Sequence, residues 1–403
     1  MRTAERLEDY AKLIVEVGLN LQPGQRLAIN CSLEHAPLAR SVAARAYGAG
    51  AQFVDVLYAD QHVRLAHIER VEEDDLDWSP PWLVKRLREL GDDGGALLGL
   101  TGNPDPELFS GLDGGRVARA RMQELSATSL RLTEGLCNWT VVACPTTGWA
   151  QTVFGEPDLE RLWEAVRSAV RLDEPDPGAA WRAHIADLDR RASRLNARRF
   201  DTLRYRGPGT DLTVGLLASS VWCSALDESR GIKHVANMPT EEVFTTPDAR
   251  RVSGTVAATS PLQLNGTLVR GLQVRFENGR AIEVAADEGE EMIRAHIASD
   301  DGAARLGEIA LVDRSSRVGR TGLVFFDTLF DENAASHIAF GAAILVTVPG
   351  ASDLPPQERH ARGINSSSLH TDFMIGSAEL SVSGVTMSGE EIPILRDGVF
   401  VLS

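Results

Sequence analysis

The sequence predicts an α/β N-terminal domain built on a parallel sheet, followed by an α+β C-terminal domain. Three observations carry this. Strand and helix patterns alternate through the first half at the spacing of helix-covered parallel strands. After Arg198 the texture changes to short strands joined by turn signals. Just before that change, the polar break Asp173-Glu174-Pro175-Asp176-Pro177-Gly178 separates two long helical patterns. The boundary is expected near residue 195, giving domains 1–195 and 196–403.

Ala4 to Val17 is amphipathic, with Leu7, Tyr10, Ala11, Ile14 and Val17 at helical spacing. Pro23-Gly24 marks a turn, and Arg26 to Asn30 reads as a short strand. Ala36 to Tyr47 is helical and ends at Gly48-Ala49-Gly50; Gln52 to Tyr58 is a strand. Trp82 to Leu90 is helical, Ala96 to Leu100 a buried strand, Val117 to Leu125 a helix and Val141 to Cys144 a strand. Two helices follow, Leu159 to Val170 and Ala180 to Arg194. In the second half Phe200 to Arg206, Leu212 to Leu217, Leu272 to Phe276 and Ile282 to Ala285 read as strands. Glu277-Asn278-Gly279 is a hairpin signal.

The chain has 403 residues, enough for two domains, with 43% hydrophobic and 24% charged residues. Its net charge of −16 argues against nucleic acid, whose phosphates need Lys and Arg. No apolar run approaches the roughly 20 residues that span a bilayer. Met1 to Arg6 leads into an amphipathic stretch and not a signal peptide, so no membrane association and a cytoplasmic location are expected. Cys31, Cys137, Cys144 and Cys223 form no C-x-x-C pair and read as buried, reduced thiols.

Candidate chemistry lies in the second half. His370-Thr371-Asp372 sits in an apolar setting, and in a strand residues i and i+2 share a face. An imidazole and a carboxylate side by side suit one divalent ion, though a structural hydrogen-bonded pair fits equally. Phe325-Phe326 reads as the end of a strand, the acidic run from Asp327 to Glu332 as a turn, and Asn333 onward as a helix holding His337. Asp331 suits a helix cap in that arrangement. Glu242 and Glu308 interrupt apolar strand patterns, where a carboxylate is costly to bury unless paired or bound to a metal.

Together Glu242, Glu308, Glu332, His337, His370 and Asp372 supply carboxylates and imidazoles enough for two divalent cations. Such a pair can polarise a carbonyl and activate water. No H-E-x-x-H or G-x-S-x-G motif is present, and neither Gly48-Ala49-Gly50 nor Gly207-Pro208-Gly209 fits a phosphate loop.

At these residues the sequence resembles the M29 family of metallo-aminopeptidases, of the aminopeptidase T and AmpS type. The matching stretches are Ala236 to Pro247, Arg305 to Glu308, Asp327 to His337 and His370 to Ser377. Asn265-Gly266, the Phe276 to Arg280 hairpin and Pro145 to Ala150 also match. The resemblance implies a dinuclear site with ligands Glu242, Glu308, Glu332, His337, His370 and Asp372, filled by zinc, cobalt or manganese. It implies a homodimer that removes N-terminal residues from peptides or small amides. In that reading a bridging carboxylate, with Glu308 the candidate among the four, helps hold and deprotonate the attacking water. Two departures stand out. Seven residues after the site histidine the family carries a tyrosine, and here that position is Ile344. Ser260 stands where the family usually has lysine. The alternative is a repurposed member acting on a non-peptide small molecule. It would be a specialised amide hydrolase, or a mononuclear-iron ring-cleaving dioxygenase using His337, His370 and Asp372.

Overall fold

A computed structural model describes residues 3–264 and 267–402. The motifs Met1-Arg2 and Asn265-Gly266 lie outside the described residues. The chain divides into two compact units, Met1–Ala183 with Leu226–Pro239, and His184–Ala225 with Thr240–Ser403.

The first unit is the expected α/β domain. Its helices are α1 (Thr3–Leu13), α2 (Ala36–Gly48), α3 (Gln61–Arg70), α4 (Pro81–Asp92), α5 (Gly114–Arg119), α6 (Gln123–Thr133), α7 (Thr147–Phe154) and α8 (Leu159–Ala169). Its main strands are β1 (Arg26–Ser32), β2 (Phe53–Ala59), β3 (Ala96–Thr101) and β4 (Asn138–Ala143). The long helix α9 (Pro177–Arg198) follows, and with it the chain passes to the second unit. There β5 (Thr202–Gly207) and β6 (Thr210–Leu216) form a hairpin. The chain then returns to the first unit as the hairpin β7 (Leu226–Ser229) and β8 (Ile232–Val235), and as β9 (Asn237–Met238). The five-stranded order is β2-β1-β3-β4-β9, and every neighbouring pair is parallel. Ala28, Leu97, Leu87, Leu90 and Leu132 form one of its cores.

Two departures from the sequence reading fall here. The helix expected over Val117 to Leu125 is two helices, because Met122 turns left-handed at φ 49° and breaks the hydrogen-bond ladder. Helix α3 carries mixed polar and charged residues with only Ile68 buried, so it has little apolar stripe to announce it.

The second unit is antiparallel. Its remaining strands are β10 (Glu242–Thr245), β11 (Pro247–Ala257), β12 (Leu262–Leu264), β13 (Thr267–Val269), β14 (Gln273–Glu277), β15 (Arg280–Ala285), β16 (Leu306–Val312), β17 (His337–Gly341), β18 (His370–Met374), β19 (Ser381–Val385), β20 (Glu391–Arg396) and β21 (Val399–Phe400). Short helices α10 (Glu290–Ile297), α11 (Thr328–Ala334) and α12 (Pro356–Ala361) lie between them. An eight-stranded sheet runs β15-β14-β11-β6-β5-β19-β20-β21, and a four-stranded one runs β10-β16-β17-β18. One core contains inward residues of both sheets, including Leu203, Val252, Phe276, Ile309, Ile338, Phe340 and Phe373. Among the described residues no helix is long and apolar enough to cross a membrane.

Candidate metal centre

The four-stranded sheet explains how five distant residues meet. Residues directly opposite across antiparallel strands share a face, as do residues two apart on one strand. Glu308 on β16 and Asp372 on β18 both pair with Ala339 of β17. His337 lies two residues before Ala339, and His370 two before Asp372. Glu242 pairs with Val312, four residues along β16 from Glu308. All five side chains therefore project from one face, with small Ala339 between them. The alternate residues Val243, Ile309, Leu311, Ile338, Phe340 and Phe373 enter the core beneath. Phe340 and Phe373 stack at 5.0 Å there.

The distances confirm the convergence. His337 Nε2 lies 3.3 Å from Glu242 Oε2 and 4.0 Å from Asp372 Oδ1. His370 Nε2 lies 3.0 Å from Glu308 Oε2 and 3.4 Å from Asp372 Oδ1. Both rings turn Nε2 to the carboxylates because Nδ1 is committed to a backbone carbonyl. His337 Nδ1–H donates to Ala335 at 3.3 Å and His370 Nδ1–H to Ala342 at 2.9 Å. Potential ligand atoms of Glu242, Glu308 and His337 lie within 4.8 Å of one another, as do those of Glu308, His370 and Asp372. Glu308 belongs to both trios.

Glu332 comes from α11 and not from the sheet. It joins neither trio among the described residues. Burial pushes its pKa well above the usual range, and the charges of Asp372, Glu242 and Glu308 add to the rise. Its carboxyl therefore feels the same cluster. The sequence reading inverted the local structure, since Glu332 is in a helix and His337 opens a strand. The run His337-Ile338-Ala339-Phe340-Gly341 is buried throughout, and periodicity cannot separate a buried strand from a helix in so short an apolar run. Phe325-Phe326 is no strand either; Phe326 turns left-handed at φ 53°. Asp331 sits inside α11 and does not cap its start. Its carboxylate accepts N–H groups of Phe325 at 2.7 Å and Asp327 at 3.2 Å, holding the entering loop.

The electrostatics describe a site short of positive charge. Burial pushes Glu242 up to about 8, against the pull of His337. Burial disfavours both imidazolium ions, yet nearby carboxylates outweigh it and raise His337 and His370. For Asp372 the two histidines overcome burial and lower its pKa. Glu242 Oε2 and Asp372 Oδ1 are buried without a hydrogen-bond partner. Carboxylate oxygens left unpaired beside two oriented imidazoles are the donor set that divalent cations satisfy.

Two further residues were not legible as part of the site. Asn333, fully buried, accepts the Glu241 N–H at 2.7 Å through Oδ1 and donates to the Leu329 carbonyl at 2.9 Å through Nδ2. It thereby links the neighbours of Glu242 and Glu332. Ser336 Oγ accepts the Val312 N–H at 3.0 Å and donates to the Val312 carbonyl at 3.2 Å, fixing β16 against the start of β17. In sequence each is one polar residue beside an acidic run.

The antiparallel unit carries a donor cluster that suits divalent cations. The comparisons with known proteins give the class, a metal-dependent hydrolase. The family model described as "Thermophilic metalloprotease (M29)" matches residues 3–400. Aminopeptidase T of Thermus aquaticus is 43% identical over 406 residues, covering 99% of both chains. Aminopeptidase 2 of Geobacillus stearothermophilus is 39% identical, covering 98% of each. The solved structure of wild-type AmpT from Thermus thermophilus superposes with a TM-score of 0.92 at 41% identity, over 98% of this chain and 99% of that one. This chain belongs to the M29 family of metalloproteases. A 2,5-dihydroxypyridine dioxygenase from Pseudomonas putida KT2440 also superposes, with TM-score 0.54 and 11% identity over 100% of this chain and 99% of that one. At that identity the likeness is one of fold alone.

Proposed function

We propose that this protein is an aminopeptidase that removes N-terminal residues from peptides at a site for two divalent cations. The observation that carries the reading is the pair of donor trios sharing Glu308. Glu242 and His337 would hold one cation, His370 and Asp372 the other, with Glu308 between them and Glu332 completing the set. Zinc, cobalt and manganese all suit this mix of carboxylate and imidazole. Bound cations at this site supply Lewis acidity for the scissile carbonyl and lower the pKa of the attacking water.

The chain's own residues do the rest. Glu308 takes the proton of the attacking water and passes it to the leaving amine nitrogen. The backbone carbonyls of Ala335 and Ala342 keep the His337 and His370 rings oriented. The concentration of carboxylates attracts the cationic amino terminus of a peptide. Family membership supports extending the reading to a homodimer in the cytoplasm, with the second unit, which takes in most of residues 196–403, as the catalytic domain.

Ile344 shapes the expected rate. It precedes a 3₁₀ turn, and its backbone is fixed by Thr246, four residues beyond Glu242. The Ile344 N–H donates to Thr246 Oγ1 at 3.1 Å, and its carbonyl accepts from Thr347 Oγ1 at 2.8 Å. Isoleucine offers no proton to an oxyanion, and losing one such donor costs about 10²–10³ in rate. Cation binding is therefore retained while peptide hydrolysis is slowed. The mononuclear-iron reading is not favoured, because Glu242 and Glu308 stand within the cluster and a single-iron triad has no use for them. The test is a panel of aminoacyl-nitroanilides with zinc, cobalt or manganese, run on the wild type and Glu308→Gln. Turnover lost in the variant supports the reading. No turnover on any aminoacyl substrate with both cations bound would sink it.

A further inference from the structure

The two donor trios differ in exposure. Glu242, Glu308 and His337 are all buried, whereas in the trio of Glu308, His370 and Asp372 the imidazole side chain is 30% exposed. They also differ in what holds them. His337 opens β17 directly after Ser336, whose hydroxyl is bonded to Val312 of β16, so its backbone is clamped from within the sheet. His370 opens the edge strand β18 and follows the irregular run Ile364 to Leu369. Ser366-Ser367-Ser368 in that run offer no apolar side chain to a core, so hydrogen bonds must hold them.

Those bonds converge on Asp300, in the turn after α10. Its Oδ1 accepts the N–H groups of Gly302 at 2.9 Å and Ala303 at 2.8 Å, which fixes the carboxylate in its own turn. Its Oδ2 accepts Ser367 Oγ–H at 2.9 Å, Ser368 N–H at 2.9 Å and Ser368 Oγ–H at 2.8 Å. From there a chain of bonds reaches the ligand. Ser367 Oγ accepts the Leu369 N–H at 3.1 Å, and the Leu369 carbonyl accepts the Ala342 N–H at 2.6 Å. The Ala342 carbonyl in turn accepts His370 Nδ1–H at 2.9 Å. The two segments approach so closely that a Cβ on Gly302 would lie 2.0 Å from the Ser366 oxygen. Asn365, 3% exposed, is a separate tie. It donates to the Gly302 carbonyl at 2.8 Å and the Gly341 carbonyl at 2.6 Å, so the run stays attached to the sheet when Asp300 is changed.

The position calls for a carboxylate. An asparagine there would turn its NH₂ either towards the Gly302 and Ala303 N–H groups or towards the Ser368 N–H, setting donor against donor. Glu242 and His337 are tied by other groups, Asn333 through Glu241 and Ser336 through β16. Resting on the two-cation reading above, we propose that Asp300 is a positioning residue for the cation of the more exposed trio. Without its carboxylate, Glu308, His370 and Asp372 lose their ion while Glu242, Glu308 and His337 keep theirs. Asp300 sets where His370 enters β18 and which way its ring turns, as groups behind a ligand do.

The test is zinc titration of the full chain against a chelating indicator, read as two separate affinities. The wild type binds two ions. Asp300→Ala weakens one of them about 10–100-fold, the range for losing a group that orients a ligand, and leaves the other unchanged. Asp300→Asn acts in the same way. Ser367→Ala breaks the chain at its next link and gives a smaller loss in the same direction, which decides the matter if the Asp300 variants fold poorly. Adding Asp300→Ala to His370→Ala assigns the site. With the exposed trio already disabled, the remaining ion binds no more weakly than in His370→Ala alone. Two wild-type ions that these substitutions leave untouched, two that weaken equally, or a further loss in the double variant overturns the proposal alone. Fewer than two ions in the wild type overturns the two-cation reading and the proposal with it.

Discussion

Replacing Asn333 with alanine tests whether the cluster depends on the scaffold that holds it. Asn333 is 0% exposed and makes two side-chain hydrogen bonds, from the Glu241 N–H at 2.7 Å and to the Leu329 carbonyl at 2.9 Å. Alanine leaves a buried N–H unsatisfied, costing about 1–3 kcal/mol, and forfeits roughly 1 kcal/mol more at Leu329. The expected loss is about 2–4 kcal/mol, or roughly 4–16 °C in Tm for a unit of about 200 residues. Because the two anchored segments carry Glu242 and Glu332, cation affinity falls as well, by about 10–100-fold. Scanning calorimetry of chelated and zinc-loaded protein, with chelator competition for affinity, reads both effects. An unchanged Tm refutes the hydrogen-bond accounting. A lowered Tm with unchanged affinity refutes the positioning role.

Three other outcomes are expected. Chelated protein loses stability as pH rises from about 4.5 to 8, because Glu242 has its pKa raised in the folded chain, which then binds more protons there than the unfolded one. The raised His337 and His370 act in the same direction, and thermal melts of chelated protein that are flat over this window contradict the account. Ile344→Tyr raises turnover on aminoacyl-nitroanilides by about tenfold or more if its phenol reaches the oxyanion; an unchanged kcat rejects the part assigned to that position. Native protein at about pH 8 reacts with a thiol reagent at Cys223 at most, since burial pushes Cys31 and Cys137 up to about 11 and Cys144 up to about 12. Rapid labelling of all four thiols before unfolding contradicts that.

Part of the candidate site was legible from local chemistry, titratable residues standing in apolar strand settings. His370 and Asp372 share a face as the i, i+2 rule requires, and Glu308 interrupts a wholly apolar strand. The convergence of β10, β16, β17 and β18 was not readable, because register is set by long-range pairing that no local pattern records. His337 was misplaced on a helix because both faces of its strand are buried, which removes the period-2 signal. The α/β alternation of the first unit was clear, but the return of β7, β8 and β9 to it was not. Those strands are two to four residues long, and only tertiary pairing with β4 reveals where β9 belongs.

The central claim is that one face of a four-stranded sheet holds two cations around Glu308. It is tested most directly by elemental analysis of the purified chain, with and without Glu308→Gln. The account predicts two divalent ions per wild-type chain, accompanied by aminoacyl hydrolysis, and fewer in the variant. A single iron per chain, or two ions undisturbed by the loss of the Glu308 carboxylate, contradicts it.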